Sequence, residues 1–538
     1  MGNCFTTIKE TKLIPIDTNF KFSSPLPSWP PDAGEGFANG TIDLGGLEVR
    51  QITSFTKIFS TSDDDNGATF FEPNPIPNGF SMLGCYCQSN ATPLFGWVLA
   101  GKDVSGGTLA SPVDYTLVLS VNDSCYIWLP TPPDGYNPVG YAITSSSEKP
   151  PVDQIRCVRA DLTDECETDG LLWDAGDGGI KVYSSRPKTR GTQASGVNAG
   201  TFIVEDDNNS SYSISSCLKN NNFNNMLSSF MPNLAQVNAL VQEYSPRIYL
   251  HPSETYLPSS TSWYFTNGAL LYHVGDESNP IPVDPTGSNL PQGGSNDGTY
   301  WLDLPVDETE KERVKKGDLQ TCEVYIHVKP MLGATFSDIV IWVFYPFNGP
   351  STAKLGLIDV PLGRIGEHVG DWEHITMRIS NFNGVLYRAY FAEHSGGTWV
   401  DTTSLEFQDG TNNFTGYSSL HGHATYHVPG VVLQGTDVVG LRNDTAKSDM
   451  YIDVGARYSI MAAEYIDTVI EPPWLNYLRK WGPKITYELG IELEKLANSL
   501  GILESAIESL LEILPSEIYE EDGPTGPKVK ASWEGDEQ

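Results

Sequence analysis

The sequence predicts a mainly β protein: an N-terminal β-prism-like domain with internal repeats, followed by a β-sandwich with a C-terminal helical segment. Three observations carry this. Gly 51, Pro 37 and Tyr 25 in 538 residues favour strands and tight turns over long helices. A strand–turn–strand unit recurs in the first third of the chain. Further on, Ile339–Tyr345 is apolar throughout, as a strand buried on both faces is, and Glu367–Ile379 alternates cleanly with a period of two.

The repeat defines the first domain, 41–204. FFEPNPIPNGFSMLGCYC (70–87) aligns with YIWLPTPPDGYNPVGYAI (126–143) at a constant offset, placing Pro77 on Pro133, Gly79 on Gly135, Phe80 on Tyr136 and Gly84 on Gly140. A weaker third copy starts at IKVYSSRP (180–187). Units this small cannot bury a hydrophobic face alone, so three would pack around a common axis. IWLPTPPDGYNPVGYAI followed by IRCVRADL resembles the β-prism module of multivesicular-body and vacuolar-sorting proteins, which implies a three-sheet prism that touches lipid or protein at membranes.

Before it, residues 1–40 read as an anchor segment. MGNCFTT fits the myristoylation rule with Gly2 as acceptor, and Cys4 sits where a palmitoyl chain is added. Two acyl groups are what stable anchoring requires. After it, 205–231 is Asn/Ser-rich and reads as a polar linker. The sandwich spans 232–470, opening with a short helix at Pro232–Glu243 and containing a hairpin of Ile375–Ser380 with Val385–Phe391. Residues 471–515 carry apolar residues at helical spacing, broken at Gly501 and stopped at Pro515; 516–538, acidic with two Gly-Pro breaks, reads as a disordered tail.

A formal charge of -35 argues against nucleic acid or a broad anionic surface as partner. No apolar h-region follows Met1 and no Cys-x-x-Cys occurs among the eight cysteines, so a cytoplasmic chain with reduced thiols is expected, peripheral at the plasma membrane or endomembranes through its lipid anchor.

Chemistry concentrates in the sandwich. All nine histidines lie between 251 and 427, six of them within 368–427. In EHVGDWEHITMRI, Asp371 and Glu373 share a strand face with Ile375, Met377 and Ile379, while Trp372, His374, Thr376 and Arg378 share the other. Two carboxylates side by side and half-buried cost roughly several kcal/mol per ion unless a cation compensates them. His368, three residues before Asp371, reaches the pair across a bend; one His with two carboxylates suits Mg²⁺, Ca²⁺ or Mn²⁺. His394 in EHSGGTW is expected at the same sheet end. His421, His423 and His427, at even spacings, are expected on one strand face. His273, His327, His374 and Glu367 read as structural.

HVGDWEHITMRI, EHSGGTW, SLHGHATY and YSPRIYLHPSETYLPSS together resemble the vacuolar protein sorting-associated protein 62 family, most closely its plant branch, over 41–470. More distantly, the chain is similar to the necrosis- and ethylene-inducing-peptide-like cytolysins, whose G-H-R-H-D-W-E motif supplies His, Asp and Glu to a divalent ion. By position those ligands fall on His368, Asp371 and Glu373, with Glu367, Val369 and Gly370 replacing the rest of the motif. That family's additional acidic ligand falls nearest Asn348. The cytolysins are secreted and bind sphingolipid head groups; the missing signal peptide sets this chain apart.

Three functions follow as expectations. The first is a membrane-associated binding protein of vacuolar or endosomal traffic, holding a lipid or glycan head group through the cation and meeting trafficking proteins. The second is a metal-dependent hydrolase with His394, His421 or His423 as base, although no G-x-S-x-G, P-loop or H-E-x-x-H is present. The third is a cytolysin-like defence protein.

Overall fold

The computed structural model describes residues 14–30, 36–62, 64–176, 179–206, 213–223, 229–394, 396–435, 439–484 and 523–538. Gly2 and Cys4, and the helices expected within 485–515, lie outside the described residues.

In the first domain each repeat forms an antiparallel pair. Ala68–Pro73 pairs with Tyr86–Ser89, Cys125–Thr131 with Ala142–Thr144, and Ile180–Pro187 with Phe202–Asp206. The copies meet at the small residues that the alignment superimposes. A Cβ on Gly84 would lie 2.7 Å from the Gly140 Cα and 2.7 Å from the Thr201 methyl. Backbone bonds close the junction, Cys85 N–H donating to Tyr141 O at 2.9 Å and Thr201 Oγ1 to Val139 O at 2.6 Å. Only glycine lets the backbones approach this closely.

The sandwich is organised on a six-stranded sheet: β1 (Val324–Met331), β2 (Phe336–Asn348), β3 (His368–Ser380), β4 (Leu386–Glu393), β5 (Gly396–Asp401) and β6 (Tyr458–Ala462). Their order is β5-β4-β3-β2-β1-β6, antiparallel except for the β1–β6 pair. β2 is buried over its whole length, as its apolar run requires. On one face Ile375, Met377 and Ile379 of β3 join Ile339 and Ile341 of β2 in the main core. Each such side chain stabilises the fold by about 1.5–3 kcal/mol. Helix α1 (Leu234–Tyr244) covers that core with Val237, Leu240 and Val241, its first turn closed by a reciprocal Asn233/Gln236 capping box.

Within the expected anchor segment, residues 14–30 pack on the fold: Ile14 and Ile16 are buried, and Trp29 Nε1 donates to Asn383 O at 2.9 Å. Three sequence expectations change. Within the expected linker, Ser216–Lys219 is a strand of the first domain, paired with Thr163–Glu165, because Cys217 and Leu218 are buried on its two opposite faces. His421 and His423 have φ of 66° and 59°. They therefore sit in a left-handed turn rather than on one strand face. Finally, 523–538 is ordered and folds against β1–β5. Trp533 and Glu537 are buried there because the sheet supplies cations for the acidic side chains, a complement that tail composition cannot reveal. The seven described cysteines are free thiols.

Candidate functional site

The β3–β4 ladder ends at the Ile375–Phe391 pair. Upstream of it β3 keeps β2 on one side, with Asp371 opposite Tyr345 and His368 opposite Asn348, while its other edge parts from β4. Gly370 makes this possible: its φ is 69°, and a Cβ there would lie 2.6 Å from Trp481 O. The gap is a cavity of about 820 Å³ lined by His368, Asp371, Glu373, His374 and His394, with Lys530 and 535–538 on its far wall. Because the cavity lies at a strand edge, side chains from both faces of β3 reach it.

Asp371 is buried and its Oδ2 is 3.0 Å from His423 Nδ1. His423 Nε2 is 3.0 Å from Tyr256 O. Both ring nitrogens are therefore engaged within the protein. Tyr345 stacks flat on the ring at 3.7 Å. Burial pushes the Asp371 carboxyl up, but the His423 bond and the nearby His368 outweigh it and hold the group below its ordinary range. Glu373 goes the other way. Burial and repulsion from Asp371 push its carboxyl well above the usual range, opposed only by the Lys530 ammonium, and it accepts no hydrogen bond among the described residues. His368 Nδ1–H donates to Gly370 O at 3.0 Å, which turns Nε2 into the available lone pair. Burial also favours its neutral ring.

The structure thus brings His368, Asp371, Glu373 and His394 to one cavity, and joins His423 to Asp371 from behind. It does not bring Asn348 in, whose amide donates to Gly366 O at 2.7 Å and Gly349 O at 3.1 Å. His421 turns to Pro350 O at 3.3 Å, and His427 packs beside Phe391. The chemistry of His368, Asp371 and Glu373 suits a hard divalent ion. As arranged, however, no three His, Cys, Asp or Glu among the described residues converge as metal ligands. Lys530 supplies positive charge to the carboxylate pair instead.

Sequence reasoning missed Glu254, Lys530 and Glu537. Glu254, in the stretch HPSETY, is buried and fixes the His421–His423 turn, accepting from the Tyr256 and His421 amides at 2.8 and 2.6 Å. Glu537 accepts from Thr376 Oγ1 at 2.8 Å and meets His374 Nε2 at 3.3 Å, so His374 is bonded to a partner 163 residues away. No local pattern could signal that.

A repeat-built β-prism-like domain joined to a β-sandwich with a histidine–carboxylate cavity at a splayed strand edge defines the class of protein. The chain belongs to the vacuolar protein sorting-associated protein 62 family, whose model matches residues 16–537. No curated protein matches it. Among solved structures it is similar to GNIP1Aa from Chromobacterium piscinae, at 22% identity and a TM-score of 0.28, covering 33% of this chain and 38% of that one. It is also similar to NLPPya in complex with glucosamine, at 13% identity and a TM-score of 0.19, covering 41% and 76% of the two chains. A third is Necrosis and Ethylene inducing Protein 2 from the causal agent of cocoa's Witches Broom disease, at 15% identity, a TM-score of 0.17, and coverage of 34% and 76%.

Proposed function

We propose that the chain is a peripheral membrane protein of vacuolar or endosomal traffic. In this reading it is held at the membrane by acyl groups on Gly2 and Cys4, and binds a lipid or glycan head group in the cavity at Asp371 and Glu373. A divalent cation, Mg²⁺, Ca²⁺ or Mn²⁺, then replaces the Lys530 ammonium on His368, Asp371 and Glu373 and meets the oxygens of the head group. The observation that carries the reading is Glu373: a half-buried carboxylate beside a second one, at a cavity wall, with no hydrogen bond among the described residues. Such a group calls for a cation or a donor from outside. Binding is favoured over hydrolysis with His423 as base because both its ring nitrogens are engaged within the protein, by Asp371 Oδ2 and by Tyr256 O. Among the described residues no helix is long and apolar enough to cross a membrane.

The test is metal analysis with thermal melts, with and without chelator, on the native chain and on Asp371→Ala/Glu373→Ala. A cation should raise the melting temperature of the native chain alone. Flotation with phosphoinositide or sphingolipid vesicles then reads the head group. A blank metal analysis with superimposable melts defeats the cation; absence of flotation with either lipid defeats the membrane role.

A further inference from the structure

The outer face of the six-stranded sheet, opposite the main core, carries a second apolar cluster with Trp342, Phe344 and Trp372 and, beside it, rows of mostly polar residues in register across five strands. One rung runs Lys329, Asp338, Arg378, Arg388, Asp401, and the next runs His327, Val340, Thr376, Tyr390, Trp399. The first rung sets three cations against two carboxylates; the first domain adds Arg190 at its edge, with Glu167 pairing Arg190 and Asp169 pairing Arg388. The three arginines thus have carboxylates within the wall, floored with aromatic rings, whereas Lys329 among the described residues finds its acceptors in the segment that covers the wall.

Its occupant here is residues 531–538, Ala-Ser-Trp-Glu-Gly-Asp-Glu-Gln. Trp533 stacks on His327 at 3.8 Å. Lys329, 1% exposed at its side chain, donates to Ser532 O at 2.5 Å and Gly535 O at 2.9 Å, and lies 3.5 Å from Glu537. Asp536 takes Arg378 at 2.5 Å and Arg190 at 2.9 Å. Trp399 Nε1 and Tyr390 Oη donate to the carbonyls of Glu537 and Gln538 at 3.3 and 2.6 Å. Such contacts, one aromatic anchor plus charge-assisted bonds to side chains and backbone, are those of a bound peptide rather than of a core strand. The wall also borders the cavity described above, which His374 lines together with the segment itself.

We propose that this wall is a binding site for an acidic peptide with tryptophan three residues ahead of an acidic pair. Residues 531–538 fill it in cis as a displaceable latch, and an equivalent peptide from a partner protein takes their place. The inference does not depend on what the cavity binds. The test uses the full chain and a fluorescein-labelled peptide of residues 531–538, read by anisotropy. The triple variant Trp533→Ala/Asp536→Asn/Glu537→Gln weakens the latch and should bind the peptide at least about tenfold tighter than the native chain. Binding should fall with salt and vanish for a peptide carrying Asn and Gln at the acidic pair. A folded variant that does not bind, or equal binding by both chains, overturns the proposal. Hydrogen exchange on the unmodified chain decides the matter should the variant fail to fold. Amides of 531–538 must open at least about a hundredfold more often than those of β2, and exchange together with β2 overturns it.

Discussion

Replacing Glu537 with Gln tests the electrostatics of the latch directly. Burial alone would raise this carboxyl, but His374, Lys329 and the Thr376 hydroxyl overcome it and hold it at about 2, against an ordinary value of 4.5. At about 1.36 kcal/mol per pH unit, that displacement is worth about 3 kcal/mol of docking free energy. Because the folded value is depressed, the stabilisation is complete above pH 4.5 and is lost as pH falls towards 2. About 1 kcal/mol survives at pH 3 by the same linkage. Native-state hydrogen exchange of the amides in 531–538, corrected for intrinsic rates at each pH, reads the docking free energy. Relative to the native chain, Glu537→Gln should accelerate exchange about three hundredfold at pH 7 and about tenfold at pH 3. A ratio near one at pH 7, or a ratio that does not change between the two conditions, refutes the assignment of Glu537 as an ionised ligand of His374 and Lys329.

Three further outcomes follow from geometry. Arg378→Gln removes the bidentate partner of Asp338, a fully buried carboxylate held at 2.9 and 2.8 Å, and should destabilise the sandwich by about 3–5 kcal/mol in denaturant melts; a loss below about 1 kcal/mol would mean water replaces the guanidinium. Gly84→Ala pushes a methyl group onto the Gly140 backbone and the Thr201 methyl, and should lower the stability of the first domain by about 1–3 kcal/mol, read as an earlier calorimetric transition with the sandwich transition unmoved. Glu373→Gln removes the repulsion between Glu373 and Asp371. It should raise the melting temperature in chelator while abolishing any further rise with Mg²⁺, Ca²⁺ or Mn²⁺; a variant that still responds to the ion places the cation elsewhere.

Much of the fold could be read from the sequence because the relevant patterns are local. The repeat offset that superimposes Gly84 on Gly140 names two residues whose backbones meet where the copies pack together. Period two in Glu367–Ile379 separates Ile375, Met377 and Ile379, which enter the main core, from Trp372, His374, Thr376 and Arg378. The same logic failed at 421–427, since even spacing implies a shared face only where the backbone is extended, and His421 and His423 have positive φ. It also misjudged the acidic end of the chain. Composition treats Asp536 and Glu537 as solvated charges, yet their partners Lys329, His374 and Arg378 come from two different strands of the sheet. Those partners were visible only as polar residues alternating with apolar ones, the ordinary mark of a face turned to water. Water and a bound acidic peptide leave the same pattern on a strand, because both satisfy charge on one face while the other builds the core. What separates them is register: Lys329, Asp338, Arg378, Arg388 and Asp401 align across five strands into a single rung, and that alignment exists only once the sheet has formed.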